Sequence, residues 1–307
     1  MNKNKWITLL ISFLMCISFC GCDEFDRFMN GDRYDHYDDG YGYNDNYNSQ
    51  VTELNSHYID VDQGDCELIE FPDGQTMLID AGPAESGDKI VKYIKRLGYD
   101  YIDYVVATHP HSDHIGGMKK VINSFGIGEI YMPRAETTTK TYEELLKAIR
   151  QKGEKIKTTT AGTEIYKGND PYVKVETLAP NSSQYEELNN YSIVLKITYG
   201  KVRLLYMGDA EVLSEQEILN KYDDVSADVV KVGHHGSNTS SCQEFVREVD
   251  PQYAIFSLGK DNDYHHPHSQ IVQRWKNAGA EILRTDQYGT MILHTDGDQF
   301  DIDTEKG

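Results

Sequence analysis

The chain is poor in positive charge, poor in cysteine and without an apolar run long enough to span a membrane. Lys and Arg number 30 against 50 Asp and Glu, for a formal net charge of −20. That balance excludes a general attraction to nucleic-acid phosphates, which are held mainly by Lys and Arg, and leaves room only for a locally basic groove. Of five cysteines, only Cys66 and Cys242 lie beyond residue 22. Their spacing suits no cysteine-based metal motif, so they either pair with each other or stay as buried thiols. The apolar stretch from Trp6 to Phe19 is too short for a comfortable membrane span. No short repeat divides the chain. What remains is a globular composition, 39% hydrophobic and 26% charged, in a chain of 307 residues.

Lys3 and Lys5 ahead of the Trp6–Phe19 stretch give a signal-peptide pattern over residues 1–22. Phe19-Cys20-Gly21-Cys22 resembles a bacterial lipobox, with Phe where Leu is usual, and implies a lipid anchor on Cys22. The expectation is a chain exported across the cytoplasmic membrane and held at the cell envelope. Residues 23–50 are dominated by Asp, Tyr, Gly and Asn without apolar periodicity, and read as a disordered linker. The folded domain is expected over 51–307.

Within it, strands are expected at 54–61, 66–71 and 77–82, the last two joined by a turn at Pro72-Asp73-Gly74-Gln75. Ile90, Val91, Ile94 and Leu97 recur at helical spacing, with Gly98 as a stop. A strand over 101–107 follows, then a turn and short helix through Phe125. Thr141-x-x-Glu144 and Ser241-x-x-Glu244 read as capping boxes of two further helices. Strands near 155–159 and 172–178, a hairpin of 192–198 with 202–207, and strands at 228–232, 253–258, 281–284 and 290–294 complete the set, with helices at 212–222 and 270–278. Strand-rich stretches alternate with helices in each half. That order predicts an α/β fold, two sheets packed face to face with helices outside.

The stretch Thr108-His109-Pro110-His111-Ser112-Asp113-His114 packs three imidazoles and a carboxylate into six residues. Burying four such groups without a partner is costly, and a divalent metal pair is the partner that suits them. The stretch follows a strand rich in β-formers, and the C-terminal ends of strands are where α/β proteins place their sites.

His109, His111, Asp113 and His114 form His-x-His-x-Asp-His, which resembles the signature of the metallo-β-lactamase superfamily. The surrounding segments, from Asp60 to Asp65, Leu78 to Gly82, Asn189 to Leu195, Gly208-Asp209, Val232 to Ser237 and His266-Pro267-His268, are similar to the nuclease-like domain of ComEC-type competence proteins and its free-standing relatives. The resemblance implies that the sandwich is a metallo-β-lactamase-like αββα fold. It implies that His109 and His111 hold one divalent metal, Asp113 and His114 a second, and that Asp209 bridges them. Of His234 and His235, it makes His235 the ligand and His234 the proton donor to the leaving oxygen. The metals are expected to be zinc, with manganese as a competitor. Water between them loses a proton near neutral pH and attacks the substrate.

Where the superfamily usually has a further His, this chain offers Asn189 and Asn190, either of which is a weaker ligand. Glu211 is expected to orient a His or shuttle a proton, and His266 to contact phosphate. Asp80 is expected to hold a metal-bound His by its free ring nitrogen. Asp62, Gln63 and Asp65 read as turn residues that brace the site, and Ser192 as structural.

Three functions compete. The first is a binuclear metal-dependent phosphodiesterase acting on DNA or another phosphodiester, with Lys119, Lys120 and Lys231 giving local positive charge. The second is a small-ester hydrolase of the choline-phosphate esterase or lactonase type, which the acidic composition suits better. The third is an anchored binding protein with a degenerate metal site.

Overall fold

The computed structural model describes residues 53–306. The signal peptide, the linker and the proposed anchor Cys22 lie outside the described residues.

The first sheet takes its strands from both ends of the chain. β1 (Leu54–Tyr58), β2 (Glu67–Glu70) and β3 (Thr76–Ile79) form an antiparallel meander. The turn Pro72-Asp73-Gly74-Gln75 closes β2 onto β3, with Phe71 N–H bonded to the Gln75 carbonyl at 2.9 Å. Helix α1 (Gly87–Arg96) then carries the chain to β4 (Tyr101–Val106), parallel to β3. Two short helices, α2 (Ser112–Ile115) and α3 (Met118–Ser124), lead to β5 (Gly126–Pro133). Helix α4 (Lys140–Lys152) leads to β6 (Ile156–Thr159). β4, β5 and β6 run parallel.

The second sheet begins with the antiparallel strands β7 (Val173–Ala179), β8 (Val194–Tyr199) and β9 (Val202–Tyr206). Helix α5 (Val212–Lys221), β10 (Val229–Lys231), α6 (Gln243–Val249), β11 (Tyr253–Phe256), α7 (Ser269–Asn277) and β12 (Glu281–Arg284) follow in alternation. β9 to β12 are parallel. After α8 (Thr285–Tyr288), the chain returns to the first sheet through β13 (Met291–Thr295), which pairs with β1, and β14 (Phe300–Thr304) on its outer edge. The orders are β14-β13-β1-β2-β3-β4-β5-β6 and β12-β11-β10-β9-β8-β7.

One core lies between the sheets: Leu54, Ile69, Met77, Ile79 and Val106 from the first, and Ile197, Leu204, Tyr206, Val229 and Ile255 from the second. The other face of the second sheet packs Leu205, Val230 and Ala254 against Ile218, Phe245, Val246, Ile271 and Trp275 of its helices. This is the expected sandwich. Its parallel strands β3, β4, β9, β10 and β11 bring loops from both sheets together at their C-terminal ends, where α/β folds carry ligands.

Several local expectations shift. α4 is capped two residues earlier than the Thr141 box predicts: Thr139 accepts from the Tyr142 N–H, while Glu144 pairs with Lys119 at 3.1 Å. α6 has no side-chain cap from Ser241. The Glu215 carboxylate instead takes the backbone N–H groups of Ser241 and Cys242 from across the helix layer. Such donors are left over at every helix start, and any acceptor within reach can take them. β5 and β14 are strands the sequence reading leaves out. Cys66 and Cys242 are free thiols.

Candidate metal centre

Five strand ends build the site. Asp80 follows β3, the segment from Thr108 to His114 follows β4, Gly208-Asp209 follows β9, Gly233 to Gly236 follows β10, and Ser257 follows β11. Two close approaches bring them together. Gly208 turns at φ +50°, and a Cβ there would sit 3.0 Å from that of Thr108. At Gly64, a Cβ would lie 2.2 Å from the Asp113 carbonyl, so only glycine lets the loop after β1 reach Asp113. Residues His234 and His235 both hold left-handed conformations, φ 50° and 52°. Non-glycine residues adopt that region at a cost of about 1–3 kcal/mol each, and such strain concentrates at functional sites.

Asp209 is the shared member. Its Oδ1 lies 3.2 Å from His114 Nε2 and 3.5 Å from His235 Nε2. Its Oδ2 lies 3.7 Å from His109 Nε2. Asp113 Oδ2 is 3.4 Å from His235 Nε2, and His109 Nε2 is 3.0 Å from His111 Nδ1. Three groups that could hold a metal ion result among the described residues: Asp113, His114, Asp209 and His235; His109, His111 and Asp209; and Asp65, Asp80 and His114, the last already joined by the His114–Asp80 and Lys231–Asp65 pairs. His114 Nε2, His235 Nε2 and Asp209 Oδ1 are buried without a hydrogen-bond partner. Buried polar atoms are rarely left so. Three of them, with both ring nitrogens within 3.5 Å of Asp209 Oδ1, fit a divalent cation.

The opposite ring nitrogens are held. His235 Nδ1 donates to the Ser257 carbonyl at 2.8 Å, which leaves Nε2 with its lone pair inward. His114 Nδ1 donates to Asp80 Oδ2 at 2.7 Å. The Thr108 hydroxyl also donates to Asp80, at 2.6 Å, so it can accept from His109 Nδ1 at 3.2 Å. Asp80 thus orients a histidine in each of the first two groups. Asp80→Asn is expected to weaken cation binding about 10–100-fold. Isothermal titration with zinc checks this, and an unchanged affinity would remove Asp80 from that role.

Charge follows the same plan. Burial pushes His235 down, but Asp209 and Asp65 outweigh it and lift the imidazole to about 10. His114 is likewise depressed by burial, yet the carboxylates of Asp209, Asp80 and Asp113 carry it well above the usual range. His109 stays well below it, through burial and the neighbouring His114. Burial raises Asp209, but His114 and His235 bring it well below the normal carboxylate range. Protons on His114 and His235 therefore compete with a cation for the same atoms.

His234 points elsewhere. Its Nδ1 is 2.9 Å from the Thr239 hydroxyl and 3.4 Å from Glu211 Oε1, and its ring is partly exposed. Its Nε2 lies 3.8 Å from Asp209 Oδ2. Glu211 also accepts from Asn189 Nδ2 at 3.3 Å and Asn190 Nδ2 at 3.0 Å. Both amides are thus turned toward Glu211, while their buried Oδ1 atoms have no hydrogen-bond partner. His266 is half-buried, its ring 5.7 Å from that of His234 and 6.2 Å from that of His235. Burial, then the charges of His235, His234 and His268, press it down to about 4.

The supporting residues are in part as expected. The Asp209 N–H donates to Ser192 Oγ at 3.0 Å, and Gln63 Oε1 accepts from Gly259 at 3.2 Å. Asp62 is exposed, and its N–H bonds Asp60. Asp65 is no turn residue: it is buried against Lys231 and lies 3.3 Å from His235 Nδ1. Lys231, in turn, offers no charge to a substrate, since it is buried and also donates to the Gly208 carbonyl at 3.1 Å. Lys119 and Lys120 pair with Glu144 and Asp88. Lys231 therefore drops out of any basic groove, while Lys119 and Lys120 stay at the surface in ion pairs. The sequence carried no signal for the Lys231–Asp65 pair or for the Ser257 carbonyl.

No helix among the described residues is long and apolar enough to cross a membrane. Similarity to known proteins agrees with the fold. ComE operon protein 3 of Bacillus subtilis is 31% identical over 250 residues, 76% of this chain and 32% of the relative. Competence protein ComA of Neisseria gonorrhoeae is 31% identical over 217 residues, 70% of this chain and 28% of the relative. The chain thus spans about a third of the length of these relatives. Among solved structures, CmlA, a diiron beta-hydroxylase from Streptomyces venezuelae, superposes with a TM-score of 0.51 at 14% identity, over 76% of this chain and 52% of that one, a likeness of fold alone. Residues 59–260, which hold every donor named above, match the metallo-beta-lactamase superfamily. The chain belongs to that superfamily.

Proposed function

We propose that the protein is an extracytoplasmic, binuclear metal-dependent phosphodiesterase whose substrate is a nucleic acid. The observation that carries the reading is the sharing of Asp209 between two donor groups, with Asp209 Oδ1, His114 Nε2 and His235 Nε2 buried and without hydrogen-bond partners. His109 and His111 would hold one ion, and Asp113, His114 and His235 the other. Such an ion pair supplies a Lewis acid for the phosphodiester and makes water acidic enough to attack at neutral pH. Zinc suits the imidazoles, and manganese competes at the group with fewer nitrogen donors. The resemblance of Phe19-Cys20-Gly21-Cys22 to a lipobox supports action at the cell envelope. Loss of labelled-palmitate incorporation in Cys22→Ser checks the anchor.

The protein's own residues then divide the work. Glu211, held by Asn189 and Asn190, fixes the His234 ring together with Thr239. The His234 Nε2 edge, on the Asp209 side, gives a proton to the departing oxygen. His266, kept neutral, donates a hydrogen bond to a phosphate oxygen. His234→Ala is expected to lower kcat about 100–10,000-fold with metal content unchanged. Steady-state kinetics beside elemental analysis check this, and loss of metal in His234→Ala would make it a ligand instead.

The reading is tested by incubating purified protein with DNA and RNA in zinc or manganese, beside an Asp113→Ala control. No cleavage with either metal would reject it. The net charge of −20 favours a second reading, a small-ester hydrolase. Turnover of choline phosphodiesters or lactones with intact nucleic acid would establish that one.

A further inference from the structure

Beyond the metal-binding atoms, one aromatic ladder leads from the site to solvent. The rings of His235 and His266 are 6.2 Å apart and 28° from parallel. His266 in turn stacks on Tyr264, 5.6 Å away and 21° from parallel. Tyr264 is 63% exposed, in contrast to the buried tyrosines of the core. An apolar ring left in water beside a catalytic cleft asks for a partner of its own shape. The loop that carries it is held firmly. Asn262 Oδ1 takes the His266 N–H at 2.9 Å, and Asn262 Nδ2 donates to the carbonyls of Gly259 and His266 at 2.9 and 2.7 Å. The His268 N–H is bonded to the Gly236 carbonyl at 3.0 Å, which ties the loop to the turn bearing His235. A cavity of about 450 Å³ adjoins this loop, lined by Lys260, Asp261, Asn262, His265, His266 and Gln287, and by Arg284 paired with Asp286. Its size and polar walls suit a sugar.

We infer that Tyr264 is a stacking platform for an unpaired nucleobase next to the scissile phosphodiester, which makes single-stranded nucleic acid the substrate class. The inference rests on the phosphodiesterase reading above and deepens it. Charge decides between this and duplex binding. A protein of net charge −20, in which Lys119, Lys120 and Lys231 are paired and Lys260 is the one lysine lining the cavity, cannot draw its affinity from many phosphate contacts. Stacking a base on an aromatic face needs no such charge and tolerates any sequence. Tyr264 also offers one flat face rather than the several rings of a cage for quaternary ammonium, so a base fits it better than choline. Paired bases are already stacked on both sides, so a duplex gains nothing from the platform.

The test measures binding to metal-loaded full-length protein. The probe is a fluorescein-labelled phosphorothioate oligothymidylate, which resists cleavage, read by anisotropy. Tyr264→Ala is expected to bind it about ten-fold more weakly, and Tyr264→Trp to bind at least as well as the native protein. An oligonucleotide with a run of abasic sites should bind about ten-fold more weakly to the native protein but no more weakly to Tyr264→Ala, a pattern that general damage to the fold would not produce. Equal binding of the intact probe by native protein and Tyr264→Ala overturns the platform and leaves the nuclease reading standing. No binding of the probe by native protein overturns both. Loss of choline-phosphodiester turnover in Tyr264→Ala, with oligonucleotide binding unchanged, overturns the base in favour of the small ester.

Discussion

Replacing Asp209 with Ala is expected to release metal from both donor groups at once and to lower turnover about a thousand-fold or more. Asp209 alone belongs to both groups, through Oδ1 on the His114 and His235 side and Oδ2 on the His109 side. No neighbouring carboxylate can take its place: Asp113 faces His235 and His114, and Asp65 is occupied by Lys231. A bound metal pair contributes several kcal/mol of transition-state stabilisation, and each 1.4 kcal/mol is about ten-fold in rate. A second effect acts in the opposite direction. Asp209 is the largest influence raising both His114 and His235. Without it, those rings hold their protons less tightly, so proton competition eases even as ligation is lost. A loss of affinity in Asp209→Ala therefore reports ligation and not titration. Asp209→Asn, which keeps one oxygen donor, should fall between. Elemental analysis of protein equilibrated with limiting zinc, alongside phosphodiester turnover, checks the pair. Full metal occupancy with turnover within about ten-fold of native would end the claim that Asp209 bridges.

The site was legible in the sequence where its residues are adjacent, and illegible where they meet across sheets. His109, His111, Asp113 and His114 announce themselves because one turn after one strand carries them all. The N-terminal strands and the β8–β9 hairpin show through β-branched residues and glycine turns. β5 does not: Gly126, Gly128 and Glu129 dilute its pattern, and Pro133 argues against a strand, although it sits at the end of one where no further ladder bond is required. β14, Phe300–Thr304, alternates two apolar residues with acids and reads as a loop until β13 supplies its partner. The capping boxes failed for a related reason. A cap requires only an acceptor near the free N–H groups, and Glu215 reaches α6 from another helix. Lys231 was misjudged as surface charge because nothing local shows that β10 is buried on both faces, between the inter-sheet core and the helix layer.

That lysine carries the largest expected effect on stability. Lys231 is fully buried, and its ammonium meets Asp65 and the Gly208 carbonyl, so it joins the loop after β1 to the strand ends of the second sheet. Glu67 lies near, raised well above the carboxylate range by burial and by Asp65, and so adds no negative charge to balance. Lys231→Met keeps the length and the apolar stem but leaves Asp65 as an unpaired buried charge, which costs about 3–5 kcal/mol. For a domain of this size that lowers Tm by about 10 °C. The loss should depend on metal. In the absence of metal, a protonated His235, 3.3 Å from Asp65 at Nδ1, supplies part of the missing positive charge. A divalent cation on Nε2 displaces one of the two ring protons but brings two positive charges in its place, so that compensation grows. By linkage, metal then stabilises Lys231→Met more than it stabilises the native protein. Thermal melts with zinc and with chelator measure both effects. The double variant Lys231→Met with Asp65→Asn removes both charges and should recover much of the lost Tm. A Lys231→Met protein that melts within about 2 °C of native in both conditions would show that the buried pair contributes nothing to holding the two sheets in register.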